Sequence, residues 1–226
     1  MDSSNKKVFM KELTAANLFD LENFRYKEIF HGLGYVWEAL SLIETFLKKQ
    51  SLGVVEGEVS SAAFLVDAHL ISIGKGSVIE PGAYIKGPCI IGENCTIRHG
   101  AYIRGNVLVG DKCVVGHDSE LKNVIMLNES HAPHFAYVGD SILGNRVNLG
   151  AGTICANLRF DKKNIVFHYK EKSFETGRHK FGAILGDDAQ TGCNSVTNPG
   201  TIFEKKAFCF PTTNVGGYIE AKKQKD

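Results

Sequence analysis

Two histidines carry the sharpest chemistry in this sequence. His131 and His134 lie in SHAPHFAYVGD, and a neutral imidazole near pH 7 is the side chain best suited to take a proton from a nucleophile. They sit where an otherwise regular pattern breaks, and a broken rule in a regular scaffold is where function is expected. Either is a candidate general base. His99, His117, His31 and His69 read as ordinary turn or pre-repeat residues. Arg178, His179 and Lys180 form a basic cluster that could meet a phosphate or merely solvent. The six cysteines include no CxxC pair, which argues against a metal site. Cys89, Cys95 and Cys113 recur at one small slot of a repeat and read as buried thiols. Cys155 and Cys193 flank a later break, and a reduced thiol is the default for both.

The elements that must position these residues are set by the repeat. From position 73 the chain divides into hexads IGKGSV, IEPGAY, IKGPCI, IGENCT, IRHGAY, IRGNVL, VGDKCV and VGHDSE. Their first residues, continued by the next hexad, are Ile73, Ile79, Ile85, Ile91, Ile97, Ile103, Val109, Val115 and Leu121, all aliphatic. The fifth residues, from Ser77 and Ala83 to Cys113 and Ser119, are all small. A period of six excludes an amphipathic α-helix. It fits a mainly β protein, a parallel β-helix of very short strands with aliphatics stacked along its axis. The repeat is interrupted around residues 123 to 136 and resumes at Leu143 and Leu149. It breaks again over 155 to 184 and returns at Leu185 and Thr191. The second break holds KKNIVFHYKEKSFETGRHK, which predicts a loop or hairpin projecting from the coil, a usual place for function.

Ahead of the repeat, Val36, Leu40, Ile43 and Leu47 recur at helical spacing, with Trp37 and Phe46 widening the stripe. This predicts an amphipathic helix over residues 35 to 49, packed on the first coil or on another subunit. The expected organisation is an N-terminal helical segment (1–60), a β-helix domain (61–215) with an inserted loop (158–182), and a polar tail (216–226).

Composition narrows the function classes. Across 226 residues, 26 Lys+Arg against 25 Asp+Glu leave a net charge of +1, without the electrostatic footprint that binding nucleic acid or a membrane surface requires. No window approaches the ~18 consecutive apolar residues of a membrane span, and MDSSNKKVFMKEL lacks the apolar stretch of a signal peptide. A soluble, cytoplasmic protein is expected.

At HAPHFAYVGDSILGNRVNLGAGTICAN, and over ANLRFD and ETGRHKFGAILGDDAQTG, the sequence resembles the acetyltransferase half of the GlmU family, the bifunctional N-acetylglucosamine-1-phosphate uridyltransferases / glucosamine-1-phosphate acetyltransferases. It is similar also to the hexapeptide-repeat domain of archaeal-type sugar-phosphate nucleotidyltransferases. The resemblance covers roughly residues 73 to 215 and does not reach the uridyltransferase half, so no synthesis of UDP-sugars from UTP is expected. It implies a left-handed triangular prism with three hexads per coil, against the usual right-handed crossover rule.

Residue by residue, the resemblance implies that His134 is the general base removing a proton from the attacking sugar amine. Glu120 falls where a carboxylate orients that histidine, or is simply a solvated turn glutamate. Arg104 and Lys122 match the cations holding the sugar phosphate, or are ordinary surface cations. Tyr137 and Asn148 match sugar-contacting positions, and Lys180 a further basic contact. Asn157 matches the asparagine at the acetyl thioester, where its amide could support the oxyanion, or else caps the turn into the loop. Ala183 and Cys193 fall in segments lining the coenzyme A arm. Leu158 replaces an aromatic, Cys193 replaces a serine, and the loop of residues 162 to 178 is longer than in the bacterial enzyme.

Together these imply a homotrimer with sites between neighbouring prisms and an acetyl-CoA-dependent N-acetyltransferase acting on a hexosamine 1-phosphate, glucosamine 1-phosphate first. Acetyl-CoA is the co-substrate, no metal is needed, and the product feeds a separate nucleotidyltransferase. Two rivals stand beside this: the same chemistry on galactosamine 1-phosphate or a nucleotide-linked amino sugar, and a non-catalytic trimerisation or sugar-phosphate-binding module.

Overall fold

The computed structural model describes residues 9–222. Residues 1–8 of the N-terminal segment and 223–226 of the polar tail lie outside the described residues. All nine hexad-leading residues are at most 1% exposed, and the small residues from Ser77 to Ser119 are buried with them. The small slot is crowded because polar members of it satisfy buried carbonyls. Ser77 Oγ donates to Gly92 O at 2.7 Å, Cys95 Sγ to Gly110 O at 3.0 Å and Cys113 Sγ to Leu127 O at 3.0 Å.

The fold is mainly β, a parallel β-helix whose short strands stack into three faces. The first face runs from Glu58–Val59 through Val114–His117, His131–His134 and Asn148–Leu149 to Phe208–Cys209. The second runs from Phe64–Val66 to Asn214–Val215, and the third from Ile71–Ile73 to Tyr218–Ile219. Two seven-residue strands, Glu120–Met126 and Tyr137–Leu143, belong to both the second and third faces.

The interruption expected around 123 to 136 is no interruption of the coil. Thr96 pairs with Val114, eighteen residues on, whereas Val114 pairs with His131 and His131 with Asn148, each seventeen on. The missing residue is lost at the corner between the second and third faces. Ile103 and Val107 have three residues between them, but their partners Leu121 and Val124 have two. The tightened corner lets each strand run straight round it. Asn106, Asn123 and Asp140 take the left-handed turn on successive rungs, with φ of 53°, 56° and 48°; Asn and Asp tolerate that conformation best after glycine.

The third face is covered. Outward residues Ile90, Leu108, Ile125, Ile142, Ile184 and Ile202 stand in register, one per rung, and all are buried. At about 2 kcal/mol for each such side chain removed from water, the column is a strong docking seam. The N-terminal segment lies on it, as a 3-10 turn over Val36–Ser41 followed by a short α-helix over Ile43–Leu47. This differs from the single helix expected over 35 to 49, and the contact is with these middle turns rather than the first coil. In a 3-10 turn residues three apart eclipse, which brings Val36 and Ala39, and Trp37 and Leu40, onto the seam together; all four are buried.

The inserted segment also departs from expectation. It forms a hairpin of Val166–Tyr169 and Lys172–Glu175, but folds down beside the N-terminal segment instead of projecting. The Trp37 ring lies 5.8 Å from Phe167 and 6.3 Å from Phe181.

Candidate functional site

The tightened corner gathers charge. Asp140 is buried there, with a side chain 3% exposed. Its carboxylate accepts from Lys122 Nζ at 3.1 and 3.2 Å, Asn123 Nδ2 at 3.0 Å and Asn157 Nδ2 at 2.7 Å. Arg178 Nη2 stands 3.7 Å away. Lys122 stands in register with Gly139, so it and Asn123 reach the next rung's carboxylate. Asn157 arrives from one rung further, at the root of the inserted segment, where Phe181 N–H donates to its carbonyl at 3.0 Å. Arg178 ties the cluster to the N-terminal segment through Ser41 Oγ at 2.5 Å, and Asn123 does so through Leu40 O at 3.3 Å. Burial lowers the Arg178 pKa against the opposing pull of Asp140, yet a guanidinium stays charged at any physiological pH.

Beside this cluster, along the second face, Glu120 pairs in register with Tyr102 and Tyr137. Arg104 Nη1 donates to Glu120 Oε1 at 2.6 Å, which raises the Arg104 pKa. Burial first, then the Glu120 carboxylate, pushes the Tyr137 phenol above its ordinary pKa, while a side-chain hydrogen bond with Asn157 acts the other way. Gly139 leaves the space in which these groups meet: a methyl there would lie 2.6 Å from both Asn157 Nδ2 and Tyr137 Oη. Beyond Asn157 the face opens into a groove of about 690 Å³, walled by Ala156, Leu158, Val196 and the fully exposed Phe160.

The opposite edge of the second face carries the histidines. His117 and His134 are in register. His99 Nδ1 lies 2.7 Å from Pro81 O and His117 Nδ1 3.1 Å from His99 O, so both rings carry a proton on Nδ1. Their rings stack at 5.7 Å. The column continues through His134, Ala151 and Cys193, because Gly152 N donates to His134 O, Asn194 N to Ala151 O and Thr212 N to Cys193 O. Cys193 is the exposed member of the six free cysteines. Phe135 follows His134 at φ 52° and is 55% exposed, with its ring 5.2 Å from His117 and 6.4 Å from His134.

Of the residues singled out by sequence, Arg104, Glu120, Lys122, Tyr137 and Asn157 come together on or beside the second face. Lys180 joins them through its carbonyl, which accepts from Arg178 Nε at 3.0 Å. His134 and Cys193 share the far corner. Glu120 therefore meets Arg104, not His134. Asn148 is an exposed first-face residue between His131 and Gln190. Ala183 is fully buried on the third face, its N–H given to Ser141 Oγ at 2.9 Å. Sequence reasoning passed over Asp140, Asn123, Gly139 and Ala151. The available signal was the register: Ala151 in LGAGTI stands at the hexad position of His99 and His117.

The family described as the GMPPB C-terminal domain matches residues 85–209. The bifunctional sugar-1-phosphate nucleotidylyltransferase/acetyltransferase of Sulfurisphaera tokodaii is 32% identical over 190 residues, covering 82% of this chain and 46% of that protein. The bifunctional protein GlmU of Methanococcus maripaludis is 36% identical over 180 residues, covering 80% and 43%. The chain thus spans less than half the length of these curated relatives. Among solved structures, a Francisella novicida UDP-N-acetylglucosamine acyltransferase aligns over 72% of this chain and 62% of its own, at 14% identity and a TM-score of 0.46.

Proposed function

The chain belongs to the family of the GMPPB C-terminal domain, and from that premise we propose that it transfers the acetyl group of acetyl-CoA to the amine of a hexosamine 1-phosphate, glucosamine 1-phosphate first. The amine lone pair attacks the thioester carbonyl, and the C–N bond forms as the C–S bond breaks. His134 takes the proton released from nitrogen and returns it to the departing thiolate, a role suited to an exposed imidazole near neutrality. Lys122 and Arg104 meet the phosphate dianion with charge-assisted donors, and Tyr137 faces the sugar. Coenzyme A follows the corner column of His134, Ala151 and Cys193.

The observation that carries this reading is the convergence of Arg104, Lys122, Tyr137 and Asn157 at one edge of the second face. His134 ends a first-face strand at the other edge, and among the described residues no hydrogen bond or ion pair joins it to the acceptor-binding groups. A site completed by a neighbouring copy in a homotrimer is part of the proposal. The product would supply a separate nucleotidyltransferase in nucleotide-sugar synthesis.

The Arg104–Glu120 pair favours a second reading. Glu120 is engaged by Arg104 at 2.6 Å rather than by His134, as would suit a module that binds sugar phosphate without turning it over. Incubating the protein with acetyl-CoA and either glucosamine 1-phosphate or galactosamine 1-phosphate, and weighing the product by mass spectrometry, separates the two. N-acetyl product that disappears in His134→Ala establishes the transferase and its acceptor. Binding without product establishes the module.

A further inference from the structure

Asp140 has a simple role in the backbone, as an Asx residue in a left-handed corner. Asn106 and Asn123 fill the same corner on the two preceding rungs with φ of 53° and 56°, so a neutral amide suffices for the turn. The carboxylate does more. It is buried, and it takes donors from Lys122, Asn123 and Asn157 while Arg178 stands 3.7 Å off.

An ionised carboxylate only accepts hydrogen bonds, whereas a primary amide has one donor end and one acceptor end. Asp140 therefore fixes the polarity of the Asn157 amide: Nδ2 must face the corner, at 2.7 Å from Asp140 Oδ2. The same nitrogen lies on the Tyr137 side, since a methyl at Gly139 would touch both Nδ2 and the Tyr137 hydroxyl at 2.6 Å. With its donor end held between Asp140 and Tyr137, Asn157 has only Oδ1 to offer a ligand. That is the wrong polarity for an oxyanion and the right one for an N–H.

We infer that Asp140 is a positioning residue that turns Asn157 into a hydrogen-bond acceptor for the amine of the acceptor sugar. The inference rests on the acetyl-transfer reading and deepens it. A neutral amine has two N–H bonds and one lone pair. Giving one N–H to Asn157 Oδ1 and the other to His134 of a neighbouring copy aims the lone pair at the thioester carbonyl. Selectivity for an amino sugar over its hydroxyl counterpart is assigned to the same oxygen, because an unpaired acceptor in a desolvated site penalises a ligand that cannot donate as well.

The test is a polarity exchange in the full chain. Asn157→Asp alone sets two carboxylates against each other, and kcat is expected to fall about 100-fold. Adding Asp140→Asn restores a donor–acceptor pair with the donor now on residue 140, leaving a carboxylate oxygen of residue 157 toward the ligand. The double variant is expected to recover at least about tenfold of the loss. Its pH optimum should move up, because a carboxylate beside the amine favours the unreactive ammonium form.

A merely structural role would not reproduce the pH shift, and circular dichroism with thermal melting verifies that each variant is folded. Calorimetry supplies a readout besides turnover. Wild type should bind glucosamine 1-phosphate more tightly than glucose 1-phosphate, the single variant should lose that preference, and the exchange should regain it. If Asn157 acts instead as an N–H donor to the oxyanion, the exchange variant stays as inactive as Asn157→Asp, and the inference is overturned while the acetyltransferase stands. Wild type that neither binds nor acetylates glucosamine 1-phosphate overturns the underlying reading, and the inference with it.

Discussion

Asn157 gives its side-chain amide to Asp140 at 2.7 Å, across one rung of the prism and between a residue that roots the inserted segment and one that turns a corner. Through Asn123 and Arg178, which also meet Asp140, the same cluster joins the inserted segment and the second face to Leu40 and Ser41 of the N-terminal segment.

Lys122→Ala and Arg104→Ala should each raise KM for the sugar phosphate by about 10- to 100-fold, the scale of one charge-assisted contact to a dianion, with a smaller change in kcat. Steady-state kinetics with glucosamine 1-phosphate at saturating acetyl-CoA measures this. Equal effects on phosphate-free glucosamine would remove these residues from phosphate recognition.

His134→Ala should lower kcat by about 100-fold or more. His117→Ala serves as the control, since its Nδ1 is occupied by His99 O on the preceding rung, and it should leave kcat within a few-fold. Comparable losses in both would mean that the column acts as a unit.

Gly139→Ala is a small change with a specific expected effect. The added methyl would stand 2.6 Å from Asn157 Nδ2 and Tyr137 Oη, closer than packed atoms allow. Acceptor affinity should fall at least tenfold while affinity for coenzyme A changes little, measured by calorimetry for each ligand. An unchanged sugar-phosphate affinity would separate Tyr137 and Asn157 from the acceptor.

The interior sets an alkaline limit on stability. Burial pushes the Cys155 thiol from its ordinary value near 9 up to about 11. A group with a raised folded pKa stabilises fully below its unfolded pKa, and that contribution is lost as pH climbs from about 9 to 11, on the order of 2–3 kcal/mol for this thiol. Melting curves at pH 8 and pH 10.5 should show the fall, and Cys155→Ala should show less of it.

Trp37→Ala should cost about 3–5 kcal/mol, as for a large buried ring. Trp37 is 2% exposed and contacts Phe167, Phe174 and Phe181 of the inserted segment. At roughly 2–4 °C per kcal/mol for a chain of this size, the melting temperature should drop by about 10 °C. The inserted hairpin should also become sensitive to limited proteolysis.

The inward half of the fold was legible because burial there has a single period. Every hexad leader from Ile73 to Leu121 points to the axis, and six-residue spacing is the trace of that in sequence. The outward half was not. Ile90, Leu108, Ile125 and their successors sit between two inward residues, where the hexad pattern already accounts for apolar character, so a second buried surface left no separate signal. The corner at Leu121–Val124 was legible only as a fault in the pattern; that one residue fewer makes a tighter turn is a fact of three dimensions. Asp140 looked like a turn residue because locally it is one. Its partners at 122, 157 and 178 meet only when successive rungs stack and the inserted segment closes over them.

Stacked coils ordinarily behave as a one-dimensional array in which each rung supports only its neighbours, and such arrays fray from their ends. Here the N-terminal segment and the inserted segment together lie along six rungs through the Ile90-to-Ile202 column, as a splint lies along a row of joints. A rung cannot leave without breaking contacts that also belong to rungs far from it. The consequence is cooperativity: loss of the coil should proceed as one transition across the splinted rungs, with piecemeal unravelling confined to the turns that these two segments do not span.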